Sequence, residues 1–250
     1  MQPLVGYQLT DTIATITMDD GKVNVLSLRM ITEINQALDR ALHDAAVVVL
    51  AGRPRVFSAG FDLPVIRAGG PAATSMLHAG FELAERVLAY PRPVVIACTG
   101  HAVAMGAFLL LSGDYRVGAA GQYKITANEV AIGLTMPRAA VEICRQRLTP
   151  GHFNRATILA ESFGPDSAVA AGFLDRACEP ADFWDTVHRI TAELATLDLD
   201  AHKATKLRAR KAALAAVHDA IAADYAALAQ RDQAAETAGV RGSLIVTSFR

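Results

Sequence analysis

The apolar positions of this 250-residue chain fall into short runs whose period changes along its length. Residues 12–18 alternate, with Ala14, Ile16 and Met18 against Thr15 and Thr17, the pattern of a half-buried strand. Asp19-Asp20-Gly21 reads as the turn that ends it. The period then becomes helical: Ile31, Ile34, Leu38 and Leu42 share one face, and Ser27 is placed to cap the helix. Residues 45–50 are wholly apolar, as suits a strand covered on both faces. Residues 94–97 repeat that pattern, break at Thr99-Gly100, and restart through Ala102 and Ala104 into an apolar helix near Met105-Gly106. Another strand is predicted over 115–119. Strand, helix and strand in repetition predict an α/β fold with a covered, largely parallel sheet.

The rest of the chain reads as mostly helical. The Gly- and Pro-rich stretch 64–75 predicts a loop, followed by a helix over 75–90 with Leu77, Phe81, Ala84 and Leu88 on one stripe. His78 and Glu82 sit one turn apart beside it, a spacing that suits a surface contact better than chemistry. A helix is predicted over 136–148, with Pro137 near its first turn and a break at Pro150-Gly151. A short strand near Cys178 and a helix from Pro180 to Leu197 follow. From His202 an Ala-rich stretch with Ala220, Ile221, Tyr225 and Leu228 predicts an amphipathic helical tail. Its basic residues, among them Lys203, Lys206 and Arg210, fit a solvated face or phosphate contacts.

Composition narrows the classes. Apolar residues at 52% and charged residues at 20% describe a folded globular chain. A net charge of −1 gives no electrostatic reason to expect nucleic acid as a partner. Cys98, Cys144 and Cys178 have no metal-ligand spacing and fit a reducing compartment. The N-terminus carries no charged head with an apolar run, so no signal peptide is expected. Residues 93–111 are apolar enough to raise a membrane span, but Thr99, His101 and two glycines favour a buried strand-turn-helix. The expectation is a cytoplasmic protein without a membrane segment, metal site or separate cofactor.

Two strand-to-helix turns carry the candidate chemistry. One follows Val56-Phe57-Ser58 at Ala59-Gly60; the other is Ala104-Met105-Gly106. Small residues let a ligand approach the backbone, and the first helical N–H groups have no internal partner. Facing each other, such turns would aim two N–H donors at one oxygen, which is an oxyanion hole. On spacing alone two ordinary strand-to-helix turns are the better reading, since that pattern is common.

FSAGFDL, then GHAVAMGAFLLLSGDYRV, then NEVAIGLTMP resembles the enoyl-CoA hydratase/isomerase (crotonase) family, over roughly residues 7–198. The resemblance implies a crotonase-like spiral of ββα units over 1–197 and a C-terminal helical region over 198–250, used for oligomer contacts and site closure. It implies an acyl-CoA thioester as substrate, with coenzyme A as part of it, and a homotrimer or dimer of trimers. The implied catalytic groups are the N–H donors of Ala59 and Met105 and the carboxylate of Glu129. Lys22, Val23 and Val25 would lie along coenzyme A, with Lys22 near a phosphate or simply solvated at its turn. Ser58, Gly60, Phe61, Asp62 and Leu63 would form the first turn, and Gly106, Phe108 and Asn128 the rest of the site.

Glu129 sits beside Val130, Ala131 and Ile132, where a buried carboxylate would have a raised pKa and a solvated one would not. The family's hydratases use two carboxylates, and the first falls on Phe108 here. One carboxylate, with the Asn128-Glu129 pair, resembles the Δ3,Δ2-enoyl-CoA isomerases. Met105 stands where the family usually has glycine. The alternatives are a hydratase with weak activity, or a non-catalytic acyl-CoA-binding scaffold.

Overall fold

In the computed structural model, which describes residues 2–237, the strands form two sheets that the chain enters in turn. β1 (Val5–Thr10) and β2 (Ile13–Met18) make an antiparallel hairpin, and β3 (Val47–Ala51) lies parallel to β2. β4 (Arg55–Ser58) leaves for the second sheet. The chain repeats this step with β5 (Val94–Cys98) and β6 (Gly100–Val103), and again with β7 (Tyr115–Ala119) and β8 (Ile125–Thr126). β9 (Ser162–Phe163) and β10 (Arg176–Cys178) complete sheets ordered β1-β2-β3-β5-β7-β10 and β4-β6-β8-β9. Helices α1 (Leu28–His43), α2 (Leu63–Ala68), α3 (Gly70–Ala89) and α4 (Met105–Ser112) link successive turns of this ββα spiral.

Local chemistry explains the elements. Ser27 caps α1, its Oγ accepting the Met30 N–H at 3.2 Å. Ala14, Ile16 and Met18 are fully buried, and β3 is buried throughout. Val48 and Leu50 point into the main core, while Val49 and Ala51 meet Val95, Ala97 and Val117 on the opposite face.

Several expectations change. Leu42 is 42% exposed and Ala41 takes its place on the buried face of α1. Residues 64–75 are helical, because each of the prolines Pro64 and Pro71 falls in the first turn of α2 or α3, where a missing N–H costs nothing. Only Gly69, at φ 68°, separates the two helices. Pro137 is extended, so α5 (Arg138–Arg145) begins after it. Pro150 opens α6 (Pro150–Thr157) rather than breaking a helix, and Pro165 likewise opens α7 (Pro165–Ala171). α8 (Phe183–Ala195) starts three residues after Pro180 and covers the outer face of β3.

The tail is two helices, α9 (Leu199–Ala209) and α10 (Lys211–Thr237), divided at Arg210. Lys206 and Arg210 neither sit on a solvated face nor point free: both bind Asp114, at 2.7 and 3.0 Å. α10 has the length and composition to cross a membrane. It lies instead along α3 and α5, burying Val217, Ala220, Ile221 and Leu228. That stripe therefore has its partner within the chain. Residues 238–250 of the expected C-terminal region lie outside the described residues.

Candidate active site

β4 and β6 run parallel, with Ser58 opposite Ala102, so their outgoing turns face each other. The approach is close enough to demand glycine. A Cβ on Gly60, at φ 86°, would lie 2.8 Å from the Val103 oxygen and 3.2 Å from the Met105 nitrogen. A Cβ on Gly106 would lie 2.4 Å from the Ser58 oxygen. Ala104 caps α4 at φ 51° and ψ −124°, a conformation costing a residue with a side chain ~1–3 kcal/mol.

The first donor is not Ala59. Its N–H donates to the Val23 carbonyl at 3.0 Å, and the Gly60 N–H donates to Ser58 Oγ at 3.1 Å. The next N–H along the turn belongs to Phe61. The N–H groups of Phe61 and Met105 have no acceptor among the described residues. The loop that occupies Ala59 is fixed by buried Asn24, whose Nδ2 donates to the carbonyls of Met18 and Phe57 at 3.0 and 3.1 Å.

The other expected residues divide into builders and walls. Ser58 is fully buried and its Oγ donates to the Asn24 carbonyl at 2.7 Å. Val25 bridges to Gly60 through backbone, and Lys22 is exposed, its carbonyl accepting from Arg53 at 2.8 Å. Asp62 caps α2 without a side-chain hydrogen bond. None of these, nor Val23, Gly60, Met105 or Gly106, lines the cavity beyond the turns. That cavity, of about 210 Å³, is walled by Ala59, Phe61, Leu63, Phe108, Asn128 and Glu129 from the expected set. Phe81 lies between Phe61 and Phe108, with ring centroids 6.0 and 6.2 Å away. His78 and Glu82 make a 3.2 Å contact along α3 and take no part in the lining.

Glu129 enters this apolar space from the turn after β8. A single 3-10 turn, Val130–Ile132, and Gly133 at φ 79° reverse the chain, and the Leu134 N–H closes onto the Glu129 carbonyl at 2.9 Å. The carboxyl is 7% exposed and its Oε2 has no hydrogen-bond partner. Burial pushes its pKa up to about 7, opposed by a hydrogen bond from its own backbone. A carboxyl at that pKa exchanges protons readily near neutrality.

The sequence profile of the enoyl-CoA hydratase/isomerase family matches residues 8–242. The chain belongs to the enoyl-CoA hydratase/isomerase family. A crystal structure of an enoyl-CoA hydratase from Mycobacterium ulcerans is 51% identical, with a TM-score of 0.86 over 89% of this chain and 98% of that one. An enoyl-CoA isomerase from Mycobacterium tuberculosis is 49% identical, with a TM-score of 0.87 over 90% and 99%. A probable enoyl-CoA hydratase of Mycobacterium avium is 28% identical over 88% of this chain and 84% of its own length. The chain is thus an enzyme of a family that acts on acyl-CoA thioesters, and both activity names occur among its relatives.

Two features of the site lie outside the three motifs. α10, in the region expected to close the site, places Asp224 and Leu228 in the cavity wall, more than 90 residues after Glu129. Asn24, in an ordinary-looking turn, decides which N–H of the first turn is free.

Proposed function

We propose that this enzyme is an enoyl-CoA isomerase, moving a double bond from C3 to C2 of a fatty acyl-CoA. The observation that carries the reading is the buried carboxyl of Glu129, whose Oε2 has no partner, in one cavity with the turn of Phe61 and with Phe108 in place of a second carboxylate. Removing a C2 proton from a 3-enoyl thioester leaves charge that spreads onto the thioester oxygen. The N–H groups of Phe61 and Met105 would stabilise that oxygen by about 3 kcal/mol each. Glu129 takes the proton at C2 and returns it at C4, so one carboxyl suffices. Phe108, 1% exposed and set against Phe81, keeps water from the position where a hydratase would hold it. The same reading carries a homotrimer or dimer of trimers in the cytoplasm.

A hydratase is the second reading, favoured by the names of several relatives. A side-by-side assay separates them. Isomerisation of a 3-enoyl-CoA is expected to exceed hydration of crotonyl-CoA by about 10²-fold, the scale of one missing general acid–base group. Hydration at an equal rate would overturn the isomerase reading. No turnover of either substrate, with acyl-CoA still bound, would favour a scaffold.

A further inference from the structure

α10 brings a second carboxyl group into the cavity wall, whose other polar side chains are Asn128, Glu129 and Thr135. Asp224 lines the same cavity as Glu129 and is 8% exposed. Its Oδ1 accepts from the Arg138 guanidinium at 3.0 Å, and its Oδ2 from the Ala139 N–H at 3.0 Å in the first turn of α5. A carboxylate has about four accepting positions, so these two bonds use half of its capacity. Asn128 and Thr135 carry side-chain donors in the same wall, but the bonds that Asp224 accepts come from Arg138 and Ala139.

Asp224 comes to the cavity wall on α10, whereas Glu129 comes to it from the turn after β8. A methyl-ended chain filling the cavity would strip water from this carboxylate and return nothing. A chain carrying a hydroxyl there would restore a charge-assisted hydrogen bond.

We propose that Asp224 is a specificity-determining residue that selects acyl-CoA substrates bearing a hydrogen-bond donor, such as a hydroxyl, on the acyl chain. The proposal rests on the cavity being the acyl site, and not on which double-bond reaction occurs there.

Binding, measured by calorimetry on the whole protein, tests it without turnover. The probes are hexanoyl-, octanoyl- and decanoyl-CoA and the terminally hydroxylated form of each. At one of these lengths the hydroxylated ligand should bind about tenfold more tightly, the lower range of a hydrogen bond to a charged group. Asp224→Ala should abolish that preference. Arg138→Ala, which removes an ion pair but leaves the carboxylate, should keep it, separating recognition from a merely structural tie between α10 and α5. If Asp224→Ala does not fold, Asp224→Asn retains an acceptor for Ala139 and should weaken the preference severalfold. Methyl-ended ligands binding as tightly at all three lengths, or a preference unchanged in the Asp224 variants, would overturn the proposal. A preserved hydroxyl preference in a protein that does not isomerise would leave it standing while defeating the isomerase reading.

Discussion

Glu129→Gln is expected to lower isomerase turnover by at least ~10²–10⁴-fold while leaving acyl-CoA affinity within a few-fold. The amide keeps the size of the carboxyl but cannot take a proton from C2. Affinity should survive because the cavity walls and the N–H donors are untouched. In the wild type, activity should rise with pH through about 7 as Glu129 ionises, and the residual activity of the variant should lack that step. Stability should move the other way. An unfolded glutamate ionises near 4.3, whereas the folded one holds its proton to about 7, so between these values the native state binds more protons. The contribution is fully present below the unfolded pKa and is lost as pH rises through the folded pKa. It amounts to about 4 kcal/mol. The glutamine variant should therefore melt higher than wild type at pH 8 and nearly alike at pH 4. A lower melting temperature at pH 8 would mean that Glu129 serves the fold. Turnover above a tenth of wild type would mean that the proton is handled elsewhere.

Gly60→Ala should be nearly as damaging to turnover, by a different route. The new methyl would enter the space between the two turns, against the Val103 oxygen and the Met105 nitrogen, on a residue at φ 86°. Backbone strain of this kind costs ~1–3 kcal/mol, which lowers the melting temperature. The larger effect is on alignment, since a displaced oxyanion donor costs ~10²–10³-fold in kcat. Kinetics taken well below the melting temperature separate the two effects. Unchanged kcat in the folded variant would show that the facing turns do not form the oxyanion site.

Much of the fold was readable because burial writes itself into period. Ala14, Ile16 and Met18 alternate, and residues 47–51 are apolar on both faces because α8 covers one and the main core the other. Glu129 was readable through the family's motif rather than its neighbours, since Val130, Ala131 and Ile132 beside it are exposed and mark no burial. Prolines misled, since Pro64, Pro71 and Pro150 open helices where their composition suggested loops or breaks. The N–H left without an acceptor in the first turn is that of Phe61 and not of Ala59, because Ala59 donates to Val23, 36 positions earlier. No local pattern in Ser-Ala-Gly-Phe encodes that partner. Asp224 was hidden for the same reason: its place in the cavity comes from the packing of α10 on α3 and α5, and the Ala-rich helix around it signals only an amphipathic face.

The central claim, that one sheltered carboxyl carries the proton from C2 to C4, is tested most directly by isotope transfer. A 3-enoyl-CoA deuterated at both C2 positions is isomerised in ordinary water and the product examined by mass spectrometry and NMR. With Glu129 as the sole carrier in a cavity that excludes water, one deuterium stays on C2 and a measurable share of the other arrives on C4. A product whose new C4 hydrogen comes entirely from solvent would contradict the account, because a second group or a water would then be delivering the proton.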